Sequence, residues 1–202
     1  MLFLSGAFGD SKPSLTKIVV RYVAADRPEE AGAAGLKTIY LAGGVYARIE
    51  QSPNAADNSP NLIIVNQPDI WLVDLTKKTG THSINPGPDL TIHSPILGAD
   101  CPGELFDFEF GREIEFLKRV GAKTLEPKQI GERRCETRQF ETENYLVVVY
   151  VDAVKKLPVK LKAYKDRQIK FTVEYVSYDI DLPFDRSLFA PPKKIELSEA
   201  GK

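Results

Sequence analysis

Apolar and polar residues alternate with a period of two over most of this chain, a pattern typical of half-buried β-strands. The pairs Gly43-Gly44 and Asp166-Arg167 indicate turns between such segments. In the first half the alternation predicts strands over Leu36–Leu41, Val45–Gln51, Leu62–Asn66, Asp69–Leu75, Thr81–Ile84 and Leu90–Ile92. In the last third it predicts strands over Arg134–Glu141, Asn144–Val151, Val159–Ala163 and Ile169–Ile180.

Two segments show instead the three-to-four-residue spacing of amphipathic helices. After the N-cap residue Ser14, the first predicted helix ends near Asp26-Arg27-Pro28, and its apolar positions are Leu15, Ile18, Val19, Tyr22 and Val23. The second is predicted between Pro102 and Thr124 and stops at Gly121, with a stripe formed by Phe106, Phe110, Ile114 and Leu117. Phe106, Phe108 and Phe110 also fit strand alternation, but the length and charge of the segment favour a helix.

The order of these elements predicts an α+β fold, because many antiparallel strands follow one another and helices occur only at the start and in the middle. An extended sheet of this size tends to curl or close, and the two helices are natural covers for its concave side. We expect a single domain over residues 13–192 and a mobile C-terminal tail over residues 193–202.

Composition excludes several classes of protein. The 202 residues are 43% hydrophobic and carry a net charge of −1, so the chain is neither disordered nor rich in the clustered cations that nucleic-acid binding requires. No run approaches the roughly 20 apolar residues of a membrane-spanning helix. The first residues, MLFLSGAFG, resemble the end of a secretory signal, with Ala7-Phe8-Gly9 as the cleavage site. Residues 1–12 are therefore either a signal-peptide remnant or a mobile terminus.

Motifs of catalysis are scarce. The chain has no nucleophile elbow and no zinc-binding helix motif, and we expect no cofactor. His82 and His93 flank the loop Asn85–Asp89 symmetrically, and a hairpin would bring them close enough to share a metal with Asp89 or Asp100. Two solvent-facing polar residues are the stronger interpretation of this pair. The acidic pairs Glu113/Glu115 and Asp179/Asp181 are interpreted as solvated surface.

Cys101 and Cys135 are the only cysteines of the chain. They suit one disulfide in an oxidising compartment, and two unpaired thiols in a cytosolic protein are almost equally consistent with the sequence.

Three segments resemble the LolA-like superfamily of periplasmic lipoprotein-sorting and lipid-binding proteins. They are Asp69–Leu75 followed by Lys77-Lys78-Thr79-Gly80, the entry Leu157-Pro158-Val159-Lys160 to a late strand, and the closing segment from Asp185 to Pro192. The resemblance implies an unclosed antiparallel β-barrel, capped by helices, that accommodates acyl chains, and it implies export to the periplasm. Carriers of this superfamily use an arginine early in the barrel to hold the lid closed, and Arg48 lies on a comparable strand.

From this resemblance we expect a non-enzymatic, monomeric carrier or sensor of a lipid, a lipoprotein acyl chain or another hydrophobic ligand. The residues expected to line its cavity are Ile63, Val65, Trp71, Val73, Val147, Val149, Val159, Leu161, Phe171 and Val173. Phe106, Phe110 and Leu117 are expected to contribute from the lid. A shift of one residue would exchange the two faces of a strand, so each assignment depends on register.

Two other functions fit the sequence. The open edge strands of an unclosed barrel suit a regulatory module that binds another protein of the cell envelope. A metal-assisted enzyme that uses His82 and His93 is the third hypothesis.

Overall fold

The computed structural model describes residues 13–24, 35–51, 61–85, 96, 105 and 107–199. In these residues twelve strands form one sheet, accompanied by one α-helix and one 3₁₀ turn. The strands are β1 (Leu15–Ala24), β2 (Leu36–Ala42), β3 (Tyr46–Gln51), β4 (Leu62–Asn66), β5 (Asp69–Asp74), β6 (Thr79–Ile84), β7 (Lys123–Ile130), β8 (Arg133–Glu141), β9 (Leu146–Asp152), β10 (Pro158–Lys165), β11 (Gln168–Leu182) and β12 (Glu196–Glu199). Helix α1 spans Glu113–Arg119, and the 3₁₀ turn spans Arg186–Phe189.

The sheet is open. Its strand order is β12-β6-β5-β4-β3-β2-β1-β11-β10-β9-β8-β7, so β12 and β7 are its two edges. Neighbouring strands are antiparallel except that β12 runs parallel to β6. Strand β11 pairs with both β10 and β1 and thereby joins the two halves of the chain. The predicted α+β class with an unclosed antiparallel sheet is confirmed, and the parallel edge strand is an addition to it.

The sheet is also curled. Ile49 of β3 and Phe140 of β8 belong to one buried cluster, although these strands lie six positions apart in the sheet. In a flat sheet six spacings would separate these strands by about 29 Å, yet both share one core with Phe116 and Leu117 of the short helix α1. The sheet therefore wraps around the segment that contains α1.

The predicted N-terminal helix is wrong, because its residues form strand β1. Ile18, Val20 and Tyr22 are buried with strand periodicity, and the β-branched residues of this segment favour a strand. Register irregularities in the pairing of β1 with β11 disturb the simple alternation, which lets the same residues fit a helical stripe.

The predicted mid-chain helix is partly confirmed. Helix α1 occupies seven residues and ends before Gly121, where the chain turns with a φ of +63°. Phe108 and Phe110 precede the helix rather than lying within it, and both are buried. The residues after Gly121 form the edge strand β7, which the sequence pattern did not indicate.

The two faces of the sheet have separate cores. One face, here called the covered face, packs Ile18, Val149 and Val173 against Phe116 and Leu117 of α1. On the opposite face the C-terminal segment packs over the first half of the sheet. There Phe184 and Phe189 lie 5.0 Å and 5.1 Å from the ring of Tyr46, measured between ring centroids.

Several expectations fall outside the described residues. These are the possible signal remnant at residues 1–12, the predicted strand over residues 90–92, His93, Cys101 and Phe106. The segment expected to form a mobile tail includes β12, so Glu196–Glu199 pairs with β6. Within the described residues, no helix is both long and apolar enough to cross a bilayer.

Candidate functional site

The covered face is closed by a cap that consists of residues 107–110 and helix α1. Phe108, Phe110 and Phe116 are at most 3% exposed, and Leu117 is 5% exposed. The ring of Phe108 lies 4.7 Å from that of Phe116 and 5.3 Å from that of Phe140 on β8. Phe116 and Phe140 are 5.2 Å apart in turn. These aromatic rings fill the space beneath the cap and fix α1 over the sheet.

Two pockets flank the C-terminal end of α1 and share Gly121. The first, here called the Phe140 pocket, has a volume of about 390 Å³ and is lined by Leu105, Phe116, Val120, Gly121, Lys123 and residues 139–142. The second, here called the Arg138 pocket, has a volume of about 430 Å³ and is lined by Ile114, Leu117, Lys118, Gly121, Ala122, Glu136, Arg138, Val151 and Lys156. Both volumes fall within the usual range for small-molecule sites.

The Arg138 pocket combines an apolar wall with a positively charged rim. Its wall is formed by Ile114, Leu117 and Val151. Lys118, Arg138 and Lys156 supply three positive charges on the rim, against one negative charge from Glu136. Lys156 and Arg138 donate hydrogen bonds of 2.5 Å and 2.9 Å to Glu136, and these bonds lower the pKa of the Glu136 carboxyl. The pocket therefore suits an apolar chain with an acidic group.

A buried carboxyl group anchors the start of α1. Glu113 is 1% exposed and accepts hydrogen bonds from the hydroxyl groups of Tyr175 at 3.0 Å and Tyr178 at 3.1 Å. The backbone N–H of Gly111 donates a third bond of 3.0 Å to the same carboxyl. Burial raises the pKa of Glu113 to about 7, because the loss of water outweighs the hydrogen bonds donated to the carboxyl. The interpretation of Glu113 as solvated surface is therefore wrong.

The residues expected to line the cavity divide between the two faces. Seven of them lie on the covered face by contact or by register: Ile63, Val65, Val147, Val149, Leu161, Phe171 and Val173. Trp71 and Val73 lie on the opposite face, under the C-terminal segment. Val159 belongs to a third, separate cluster, in which it packs with Cys135. Phe110 and Leu117, two of the expected lid residues, contact the covered face.

Arg48 does not hold α1. Its side chain lies on the opposite face, where it donates to the backbone carbonyl of Leu188 at 2.9 Å and to Glu50 at 2.6 Å. It therefore ties the 3₁₀ turn to β3. The comparison with the lid arginine of the superfamily fails at this residue, and Glu113 supplies the polar contact between α1 and the sheet.

His82 has a structural environment. Its ring stacks on Trp71 with centroids 5.3 Å apart, and its two nitrogens lie 2.7 Å from Asp69 and 3.2 Å from Glu199. These carboxylates raise the pKa of His82, the hydrogen bond to Asp69 contributing most. The described residues contain no group of three or more His, Cys, Asp or Glu side chains that is suited to a metal ion.

Cys135 is buried and has no disulfide partner among the described residues, and its Sγ lies 3.6 Å from the backbone carbonyl of Arg133. Burial raises the pKa of this thiol, which reduces its reactivity at neutral pH. Since Cys101 lies outside the described residues, the disulfide between these two cysteines stays a prediction.

The most informative residue that sequence reasoning missed is Glu113. Its partners Tyr175 and Tyr178 lie 62 and 65 residues further along the chain, so no local pattern indicates its burial.

Comparison with solved structures shows a likeness of fold. An uncharacterized conserved protein from Thermus thermophilus aligns over 92% of this chain and 90% of its own, with a TM-score of 0.54 and 8% identity. The MucA/MucB complex of Pseudomonas aeruginosa aligns over 89% of this chain and 56% of the matched chain, with a TM-score of 0.45 and 12% identity. LolA superfamily protein NE2245 from Nitrosomonas europaea aligns over 90% and 91%, with a TM-score of 0.32 and 12% identity.

A member of the LolA superfamily is among the matches. No protein-family model and no curated protein matches the chain. At these sequence identities the likeness concerns the fold alone.

Proposed function

We propose that this protein is a non-enzymatic carrier or sensor in the periplasm that binds a hydrophobic ligand with an acidic group beside α1. The observation that carries the proposal is the Arg138 pocket, in which an apolar wall lies directly below a rim with two excess positive charges. The resemblance to the LolA-like superfamily supports the compartment and the class of ligand.

The apolar part of the ligand would lie between α1 and the covered face. The wall residues Ile114, Leu117 and Val151 adjoin the core of the covered face, so an acyl chain that displaced part of the cap would enter an apolar space. Burial of apolar surface contributes about 25 cal/mol per Å², which is enough to bind a chain of moderate length without covalent chemistry. The residues that line the covered face would then contact the ligand only after α1 moves.

The acidic part of the ligand has a defined position. Lys118 lies on α1, and Arg138 lies on β8 across the pocket, so a carboxylate or phosphate between them would interact with both. Glu136 is already bound by Lys156 and Arg138, which leaves the charge of Lys118 for the ligand. Such a group would also keep the polar end of the ligand in contact with water.

Fluorescence titration with dansyl-labelled undecanoic acid tests this function. We expect saturable binding with a dissociation constant in the micromolar range, and Lys118→Glu weakens it roughly tenfold, about 1.4 kcal/mol. Lys193→Glu, a reversal of charge at an exposed position of the C-terminal tail, leaves binding unchanged. The neutral amide of the same probe is insensitive to Lys118→Glu. Absence of saturable binding, or equal effects of both reversals, would contradict the proposal.

A hydrophobic substitution tests the apolar part separately. Val120 lines the Phe140 pocket and is 43% exposed, so Val120→Glu is compatible with folding. Val176 is 50% exposed on β11 and serves as the matched control. If the probe extends into the Phe140 pocket, Val120→Glu weakens binding and Val176→Glu does not.

The role of a protein-binding module remains the alternative, and the edge strands argue against its simplest form. Strand β7 contains Pro127 and a register irregularity between Leu125 and Lys128, two features that discourage the addition of another strand. The other edge strand, β12, has only four residues, and short edge strands also discourage pairing. A protein partner would therefore dock by side-chain contacts rather than by strand pairing, and a metal-assisted reaction gains no support from His82.

A further inference from the structure

A buried polar contact at the first residue of α1 joins the helix to the sheet. The two carboxyl oxygens of Glu113 accept hydrogen bonds from two tyrosines of β11 and from the backbone amide of Gly111. Among the described residues no lysine, arginine or histidine forms an ion pair with it. A carboxylate buried without a cation is costly, so this contact is sensitive to the charge of Glu113.

Two glycines with left-handed backbone geometry enclose the helix. Gly111 has a φ of +88° and Gly121 a φ of +63°. A Cβ on Gly111 would lie 2.7 Å from Cδ1 of Leu41, so glycine is required there for packing as well as for conformation. A Cβ on Gly121 would meet no atom within 4 Å, and only the backbone conformation requires glycine. The left-handed backbone conformation therefore favours glycine at both ends of α1.

We propose that Glu113 is a latch that fastens α1 to β11 through Tyr175 and Tyr178, and that ionisation of its carboxyl releases the helix and opens the space beneath it. The latch itself involves no ligand. Its regulatory role, which is to control access to the pockets beside α1, rests on the proposed function.

The groups around Glu113 determine how the docking of α1 responds to pH. Tyr175 and Tyr178 face Glu113 from β11, and Tyr22 faces it from β1. On α1, Glu115 lies near Tyr178. The ammonium group of Lys37 lies beyond Tyr22, 5.4 Å from the centre of its ring. Burial raises the pKa of all three tyrosines, so they stay neutral between pH 5 and 8. Burial also lowers the pKa of Lys37, and the pKa of Glu113 is raised to about 7, so Glu113 is the carboxyl group of this cluster that titrates near neutrality.

Proton binding to Glu113 determines whether the docked helix is favoured at low or at high pH. The docked helix holds Glu113 with a pKa of about 7, whereas an exposed glutamate has a pKa near 4.5. The docked state therefore binds the proton more tightly and is favoured fully below pH 4.5. Its advantage is lost as the pH rises through 7. From these two values the opening equilibrium of α1 increases about 70-fold between pH 5 and pH 8.

Hydrogen exchange of the backbone amides of α1 measures this opening directly. After correction for the intrinsic pH dependence of exchange, we expect the protection of residues 116–120 to fall by more than tenfold from pH 5 to pH 8. Glu113→Gln removes the titrating group and abolishes this dependence, whereas Glu115→Gln, on the same helix but exposed, retains it. Protection that does not change with pH in the unaltered protein would overturn the proposal. So would a Glu113→Gln variant with the original pH dependence.

The unaltered protein also provides a test that needs no variant. An NMR titration of the glutamate carboxyl carbons is expected to show one resonance with a midpoint near pH 7, and normal midpoints for every glutamate would overturn the proposal. The outcome is separable from the proposed function. If α1 opens with pH but dansyl-undecanoic acid fails to bind at pH 8, the latch is supported and the ligand-binding proposal is contradicted.

Discussion

The packing of Phe116 leads to the most quantitative prediction. Phe116 is 3% exposed and contacts two other phenylalanine rings at centroid distances of 4.7 Å and 5.2 Å. Replacing it with alanine removes about 120 Å² of buried apolar surface, which corresponds to about 3 kcal/mol at 25 cal/mol per Å². The two aromatic pairs add about 1 kcal/mol. We therefore expect Phe116→Ala to lower the free energy of unfolding by about 4 kcal/mol, within the range of about 3–5 kcal/mol that such substitutions show.

Urea denaturation followed by far-ultraviolet circular dichroism measures this change, and linear extrapolation gives the free energies to compare. Lys118→Ala is the control, because Lys118 is exposed on the same helix and its replacement should alter stability by less than about 0.5 kcal/mol. A loss below about 1 kcal/mol for Phe116→Ala would refute the conclusion that α1 is part of the core of the covered face. A loss of equal size in both variants would refute the specific role of the ring.

Three further predictions concern other parts of the sheet. Thr137 on β8 is 1% exposed, and its hydroxyl has no hydrogen-bond partner in the described structure, so Thr137→Val should raise the free energy of unfolding by about 1 kcal/mol in the same urea assay. Protonated His82 binds Glu199 of β12, and its raised pKa means that this contribution is present at low pH and lost as the pH rises above about 6.5. Relative to cleavage of a reference peptide at the same pH, proteolysis at residues 193–199 should therefore be faster at pH 8 than at pH 6, and His82→Ala should remove this difference. Arg48→Ala removes the hydrogen bond to Leu188 and should lower stability by about 1–2 kcal/mol in urea without changing hydrogen exchange in α1.

The strands were predictable wherever alternation was undisturbed. In β3 the residues Ala47 and Ile49 are buried on one face while Arg48 points to the other, as a period of two requires. The same logic failed for β1, where irregular register spreads the apolar residues into a spacing that a helix also satisfies. Only the β-branched content of the segment distinguishes the two alternatives, and it was the weaker signal.

The site was less predictable than the fold, because both faces of several strands are apolar. In β4 the neighbours Ile63 and Ile64 face opposite cores, so alternation cannot say which face meets the cap. The alternation assigns Trp71 and Val73 to the cavity, and in the structure both belong to the opposite core. The burial of Glu113 depends on contacts between distant parts of the chain. Such contacts become visible only when the sheet is assembled.

The central claim is that an amphiphile binds beside α1, and photo-crosslinking tests it most directly. A fatty acid that carries a diazirine on its chain and a free carboxylate is incubated with the protein, irradiated, and located by peptide mass spectrometry. The account predicts crosslinks within residues 114–122 and 136–142, which line the two pockets, and competition by unlabelled fatty acid. Crosslinks confined to β4–β6 or to the C-terminal segment, or labelling that unlabelled fatty acid does not reduce, would contradict it.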